Sequence, residues 1–193
     1  MFDDILAVYR GVKTNHVLNF FTIFYDKEIE KKEIFDGQQR TVSLLIILCV
    51  LKKELKEIDE ELAQEIEETY FIKKKKRTAS FEYKLTFDFP EANEFFNNYI
   101  VKDETDVDKL DIGDYTKSLK RNYDETKRLV KKFLRDEIHQ KINQAQLMDI
   151  EDLPLKKQRT EALKMLNKDT KKYIILDFIE TMERKLFLIT LQT

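Results

Sequence analysis

The feature that most constrains this chain is an unbroken run of eight apolar residues, Leu44 to Leu51. A helix that is apolar on nearly every face cannot lie on a surface, so other elements must surround it. The run is far shorter than the roughly 20 residues that a membrane-spanning helix needs. We therefore predict a core helix from about Gln38 to Leu55 and no membrane segment. Almost complete burial is expected for Leu45, Ile46, Leu48 and Cys49.

A polar motif with the sequence Asp-Gly-Gln-Gln-Arg, residues 36–40, comes just before the apolar run. It lies between a predicted strand, Glu33 to Phe35, and the predicted helix. The first turn of a helix has backbone N–H groups without intrahelical partners and a partial positive charge, so it attracts anions. Gly37 lets a ligand approach the backbone closely, and the guanidinium of Arg40 can bind phosphate through two hydrogen bonds. Asp36 can hold a hydrated magnesium ion.

A second interpretation of the motif involves no ligand. Asp36 is a good N-cap residue, and the spacing of Asp36 and Gln39 is close to that of a capping box. Capping would explain the acid and one glutamine, but it gives no reason for Arg40.

Periodicity along the chain predicts a mainly helical α+β protein. Three glycines and two prolines are too few for an all-β chain with many tight turns. Alternating or β-branched segments predict strands, of which the first two form an antiparallel hairpin: Val17–Tyr25, Lys32–Phe35, Phe81–Phe87 and Leu186–Leu191. Recurrence at three- and four-residue steps predicts further helices: Glu57–Thr69, Pro90–Tyr99, Gly113–Gln146, Pro154–Leu166 and another through Arg184. The charged stretch Lys102–Asp111 is predicted to be a mobile loop.

Composition and charge add expectations about the compartment and partners. The single cysteine, Cys49, lies inside the apolar run and is expected to be a core residue. One cysteine allows no intrachain disulfide, which suits a cytoplasmic protein. Residues 113–193 hold 18 Lys or Arg against 13 Asp or Glu, whereas residues 1–112 hold 17 against 24. The basic C-terminal half is thus the expected face for nucleic acid, although solvated helix surfaces also explain so small an excess.

The motif Asp36-Gly37-Gln38-Gln39-Arg40, with Ile34-Phe35 before it and a Leu/Ile-rich helix after it, resembles a known signature. It is the Asp-Gly-Gln-Gln-Arg motif of the N-terminal domain of GmrSD-type modification-dependent restriction proteins. That domain is domain-of-unknown-function family 262, grouped with the ParB and sulfiredoxin nucleotide-binding fold. The five-residue motif is the sharp part of the match, and the similarity over the rest of the chain is loose.

The resemblance implies an architecture as well as a site. A small ParB-like core would comprise residues 1–56 and 186–191, and residues 57–185 would be a large helical insertion. The whole chain, residues 1–193, would be one partial domain. Two departures from the family pattern are visible: Thr41-Val42-Ser43 replaces the usual Leu-Thr-Thr, and the family's Arg-bearing flanking segments have no counterpart. We therefore expect a fragment that is inactive by itself.

The resemblance also implies a function: nucleotide binding and hydrolysis within a bacterial defence protein that restricts modified DNA. The cofactor would be a nucleoside triphosphate with Mg²⁺, and a nuclease domain would lie elsewhere. Catalytic roles would fall to Asp36, Gln39 and Arg40, nucleotide contacts to Gly37, Gln38, Arg40 and Thr41, and a metal contact to Asp36. The alternative is a non-catalytic DNA-binding or protein-interaction module of ParB-like shape. A third reading is a purely structural helical domain in which the motif only caps a helix.

Overall fold

A computed structural model of the protein describes residues 1–26, 31–75, 80–102, 113–142 and 144–192. The chain divides into two compact units, Met1–Leu45 with Leu176–Thr193, and Ile46–Ile175. Helices dominate and the strands form two small sheets, so the predicted mainly helical α+β class is confirmed. Among the described residues, no helix is long and apolar enough to cross a membrane.

The first unit contains a three-stranded sheet in the order β2-β1-β5. Its strands are β1 (His16–Asp26), β2 (Lys31–Asp36) and β5 (Leu186–Gln192). Strand β1 pairs antiparallel with β2, which confirms the predicted hairpin, and parallel with β5, which confirms the predicted closing strand. The polar connection of the hairpin lies mostly outside the described residues.

A short helix, α1 (Phe2–Tyr9), supplies apolar residues to the first unit. Phe2, Ile5 and Val8 recur at three-residue steps and are buried. The rings of Phe2 and Tyr9 contact the ring of Phe178, with centroid distances of 6.1 and 5.3 Å. Aromatic packing at this range adds to the stabilisation that comes from buried area alone.

The remaining elements lie wholly or partly in the second unit. The helices are α2 (Gln38–Lys56), α3 (Glu60–Tyr70), α4 (Pro90–Glu94), a π-helical segment (Phe95–Val101), α5 (Asp114–Lys141), α6 (Gln144–Glu151) and α7 (Lys156–Lys185). Strands β3 (Ile72–Lys74) and β4 (Phe81–Tyr83) form an antiparallel pair. By the division above, α2 and α7 each contribute residues to both units.

The apolar part of α2 is buried from Ile46 onward. Ile46, Leu48 and Cys49 are at most 6% exposed, as predicted. Leu45 is only partly buried, so the prediction of almost complete burial is wrong at that position. The fully surrounded part of the helix therefore begins one residue later than the hydrophobic pattern indicates.

The π-helical segment meets α2 through hydrogen bonds. Lys102 N–H donates to the Asn97 carbonyl (3.0 Å), a bond that spans five residues, as the wider π turn requires. At the end of the segment, the Ile100 carbonyl accepts from Cys49 Sγ (2.8 Å) and the Val101 carbonyl from Lys52 Nζ (2.9 Å). Two carbonyls at a helix end, where intrahelical partners run out, are thus satisfied by α2.

Several predicted boundaries are wrong. The helix predicted to reach Gln146 ends at Lys141, because the backbone of Ile142 is extended (ψ 111°). The two helices predicted after Pro154 are one continuous helix, α7. The predicted strand Phe81–Phe87 stops at Tyr83. Beyond it, the side chain of Asn93 bonds the Phe87 N–H and carbonyl (2.8 and 2.6 Å), in place of a partner strand.

Candidate functional site

The polar motif lies where β2 passes into α2. Strand β2 ends at Asp36, and α2 begins at Gln38. The β1–β2 register shifts here: Ile23 faces Ile34 but Thr22 faces Asp36, so β2 has one extra residue. A bulge of this kind bends a strand and re-aims the residues that follow it, which is why bulges are frequent beside functional sites.

Gly37 makes the turn between the strand and the helix. Its φ is +93°, a conformation that a residue with a Cβ rarely adopts. Its carbonyl accepts hydrogen bonds from the backbone N–H (2.9 Å) and the hydroxyl (3.1 Å) of Thr41. Because the N-cap carbonyl accepts the first intrahelical bond, Gly37 is the N-cap of α2.

The position of Gly37 decides against the capping-box interpretation of Asp36 and Gln39. Asp36 precedes the N-cap, and its Oδ1 accepts from the Gly37 N–H (2.8 Å). The third helical position is therefore Arg40, not Gln39, and arginine cannot accept the hydrogen bonds that a capping box uses. A simple cap does not explain Gln39, whose side chain is exposed, or Arg40.

One side chain of the motif, Gln38, and that of the residue after it, Thr41, hold the turn together. Gln38 Nε2 donates to the Ile34 carbonyl (2.6 Å), which ties the helix start back to β2. The Thr41 hydroxyl bonds the Gly37 carbonyl, as described. These contacts give Gln38 and Thr41 a structural role besides the nucleotide contact that the resemblance implies for them.

The start of α2 combines several groups that favour an anion. The amides of Gln38 and Gln39 have no acceptor inside the helix, as in any first turn. Arg40 is half-buried in that turn and brings a cation to it. The helix dipole adds partial positive charge at the same end. The arrangement can bind a phosphate or a carboxylate group.

A divalent metal at this place would rely on Asp36 for its protein contact. Among the described residues, no group of three or more His, Cys, Asp or Glu side chains is placed to hold a metal ion. Mg²⁺ differs from metals that need such a group, since one or two carboxylates with phosphate oxygens and water suffice. Asp36 is exposed, and Oδ1 already accepts from Gly37, so it fits a single-carboxylate Mg²⁺ contact beside a bound phosphate.

Sequence patterns did not indicate a second group of charged side chains, which lies in the other unit. Lys52 follows the apolar run directly and is 3% exposed. Its ammonium contacts a carboxylate oxygen of Glu67 and the Val101 carbonyl, and it lies 5.5 Å from the centre of the Phe71 ring. The sequence did contain one signal for this group, a lysine that directly follows a buried apolar run of a helix. A buried ammonium needs a carboxylate or another hydrogen-bonding partner.

Comparisons with models of known protein families, with curated proteins and with solved structures found no match to this chain.

Proposed function

We propose that the start of α2 binds the phosphates of a nucleoside triphosphate together with Mg²⁺. The supporting observation is that first-turn amides, the Arg40 side chain and a glycine with positive φ meet at one helix N-terminus. A cap alone does not explain the presence of Arg40 in this group. The same combination of amides and helix dipole binds phosphate in unrelated nucleotide-binding proteins.

Each residue of the motif has a distinct role in this proposal. Arg40 grips a phosphate through its guanidinium, and the first-turn amides donate to phosphate oxygens. Asp36 holds hydrated Mg²⁺, which neutralises phosphate charge when bound. Gln39 is exposed and orients the attacking water, while Gln38 and Thr41 hold the turn in shape.

The wider role is proposed from the resemblance of the motif. The chain would form part of an NTP-hydrolysing module in a bacterial defence protein that restricts modified DNA, with the nuclease carried elsewhere. The first half of α7 is exposed and rich in cations, which supports contact with a phosphate backbone. Those cations are Lys156, Lys157, Arg159, Lys164 and Lys168. The same surface favours the alternative of a DNA-binding module that does not hydrolyse nucleotide.

The test is a titration of ATP and GTP, each with Mg²⁺, against the parent chain and Arg40→Ala. Removing the guanidinium deletes a charge-assisted contact that contributes about 1.5–3 kcal/mol. We therefore expect nucleotide affinity to fall by about one to two orders of magnitude, with the circular dichroism spectrum unchanged. Arg135→Ala is the matched control, because Arg135 is exposed on α5 and contacts only its neighbour Asp136 among the ion pairs described.

The outcomes separate the classes of function. Equal affinity with and without Arg40 contradicts nucleotide binding at this site, as does an equal loss in Arg135→Ala. Arg40-dependent binding without phosphate release agrees both with the non-catalytic alternative and with a hydrolytic fragment that is inactive by itself. Release of phosphate that is lost in Asp36→Asn supports the hydrolytic role.

A further inference from the structure

A cavity of about 910 Å³ lies within the second unit, among the C-terminal part of α2, α3, the β3–β4 hairpin and α5. Its size falls within the range of roughly 300–1,000 Å³ that is typical of small-molecule sites. None of the residues of the Asp-Gly-Gln-Gln-Arg motif lines it.

The described lining of this cavity has an excess of positive charge. It contains five glutamates and six lysines, the latter being Lys52, Lys53, Lys56, Lys102, Lys127 and Lys131. Two further lysines reach lining glutamates from outside: Lys74 Nζ lies 2.9 Å from Glu68, and Lys171 Nζ lies 2.7 Å from Glu54. The hydrogen bond from Lys74 is the main reason why the pKa of Glu68 lies below its usual value.

Neutralisation of the glutamates leaves the lining lysines in excess. Lys171 also lies 3.6 Å from Glu57, and Lys52 is paired with Glu67. Four of the five lining glutamates thus have a lysine within ion-pair distance. The cavity is therefore more attractive to an anion than to a cation.

Two of the lining lysines converge on one buried ring. Lys53 Nζ lies 2.8 Å from the Tyr123 hydroxyl and 4.8 Å from the centre of its ring, while Lys127 Nζ lies 5.9 Å from the same centre. Tyr123 is 2% exposed. Both ammonium groups lie within 6 Å of the same ring centre, so an anion at this end of the cavity would be attracted by both.

We propose that this cavity binds a phosphate-bearing small molecule, with Lys53 and Lys127 as its anion contacts. Lysine is a frequent phosphate ligand, since its ammonium acts as a compact point charge with three donors. Lys56 and Lys102 contribute further positive charge around the bound group, whereas Lys131 Nζ lies 3.8 Å from Glu54. The proposal does not depend on nucleotide binding at the start of α2, because the two sites share no residue.

The experiment is a calorimetric titration with pyrophosphate at constant ionic strength, carried out on Arg40→Ala protein so that the α2 site does not contribute. We expect saturable binding at one site per chain. Lys127→Ala in the same background should raise Kd by about tenfold or more, since a charge-assisted contact is lost. Lys53→Met should do the same. Lys127→Ala is the safer variant for folding, because the Lys127 side chain is exposed.

Lys132→Ala is the matched control, since Lys132 is exposed on the same helix and does not line the cavity. Its Kd should stay within about twofold of the background protein. The proposal is overturned if pyrophosphate shows no saturable binding up to about 1 mM. It is also overturned if Lys127→Ala leaves Kd unchanged in folded protein, or if Lys132→Ala weakens binding as much as Lys127→Ala.

Discussion

The start of α2 and the lysine-lined cavity are the two proposed anion sites, and they are built in opposite ways. The first comes from consecutive residues, and most of its donors are backbone amides. The second brings together side chains far apart in sequence; Lys53 and Tyr123, for example, are separated by 70 positions. A local motif therefore specifies the first site, and only tertiary packing creates the second.

The two sites also depend on different kinds of stabilisation. Amides at a helix start are held in place by the helix itself, and their direction does not change with side-chain rotamers. Lysine ammonium groups lie at the ends of flexible stems, so their positions depend on the packing of the walls around them. The cavity should consequently be the more sensitive of the two to a change in a buried contact nearby.

The largest expected effect is at Glu67, the carboxylate partner of the buried Lys52. Glu67→Ala leaves Lys52, a residue that is 3% exposed, without its carboxylate partner. We expect the free energy of unfolding to fall by about 3 kcal/mol, measured by urea denaturation. Lys52→Met should lower the free energy of unfolding by less, because the remaining Glu67 is partly exposed and can be hydrated.

Glu65→Ala provides the control for this prediction, since Glu65 lies on the same helix with an exposed side chain. Its free energy of unfolding should stay within about 0.5 kcal/mol of the parent value. If Glu67→Ala were equally mild, the buried pair would not be what supports the cavity wall.

The next effect concerns Gly37, where the first site depends on backbone conformation. Gly37→Ala places a Cβ on a residue with φ of +93°. We expect a loss of stability of about 1–3 kcal/mol from strain, and weaker nucleotide binding because the turn must shift. Thermal and urea denaturation measure the first effect, and the ATP titration measures the second.

Gly113→Ala is the comparison for Gly37→Ala. Gly113 has a φ of −63°, and an added Cβ would meet no atom within 4 Å. This variant should be close to neutral, so similar losses in both variants would show that the backbone of Gly37 has no special role.

The smallest effect is a pH dependence at Asp59, the N-cap of α3. Its side chain accepts from Lys172 Nζ (2.7 Å) and from the Leu62 N–H (3.0 Å). These contacts, with Lys172 the larger, hold the pKa of Asp59 below its ordinary value of 3.8. The unfolded state therefore binds the proton more readily. The contribution of Asp59 to stability is present above pH 3.8 and is lost as pH falls through the lower pKa of the folded state.

Asp59→Asn keeps a good capping residue but removes this charge. The parent chain should be the more stable at pH 7, and its advantage over Asp59→Asn should shrink as the pH falls below 3.8. Urea denaturation at each pH value measures the difference. An advantage that stays constant or grows on acidification would contradict the assignment.

Sequence patterns predicted the parts of the fold that depend on local chemistry. The β1–β2 hairpin and the burial of Ile46, Leu48 and Cys49 follow from periodicity and apolar content. The ends of helices and strands were harder to predict from the sequence. No glycine or proline marks the end of α5 near Ile142. The alternation from Phe81 continues past Tyr83, where β4 ends, to Phe87, whose backbone bonds the Asn93 side chain.

The candidate site was predictable to a similar extent. The motif gave the position of the strand-to-helix turn, and the glycine conformation agrees with it. The sequence did not predict that Asp36 bonds the next amide or that Gly37 is the N-cap. Both features lie beside a bulge in β2, and no residue type in the sequence indicates that bulge. The cavity was not predictable, because lysines on separate helices give no sign in the sequence that they face one ring.

The hydrogen bond from Cys49 to the last turn of the π-helical segment gives the protein a built-in reporter of its own opening. Because the thiol is completely buried and donates to the Ile100 carbonyl, a thiol-reactive reagent can reach it only when this part of the second unit separates. With just one cysteine in the sequence, every labelled molecule records the same event. When opening and closing are fast, the rate of labelling is proportional to the fraction of molecules in which the π-helical segment has left α2.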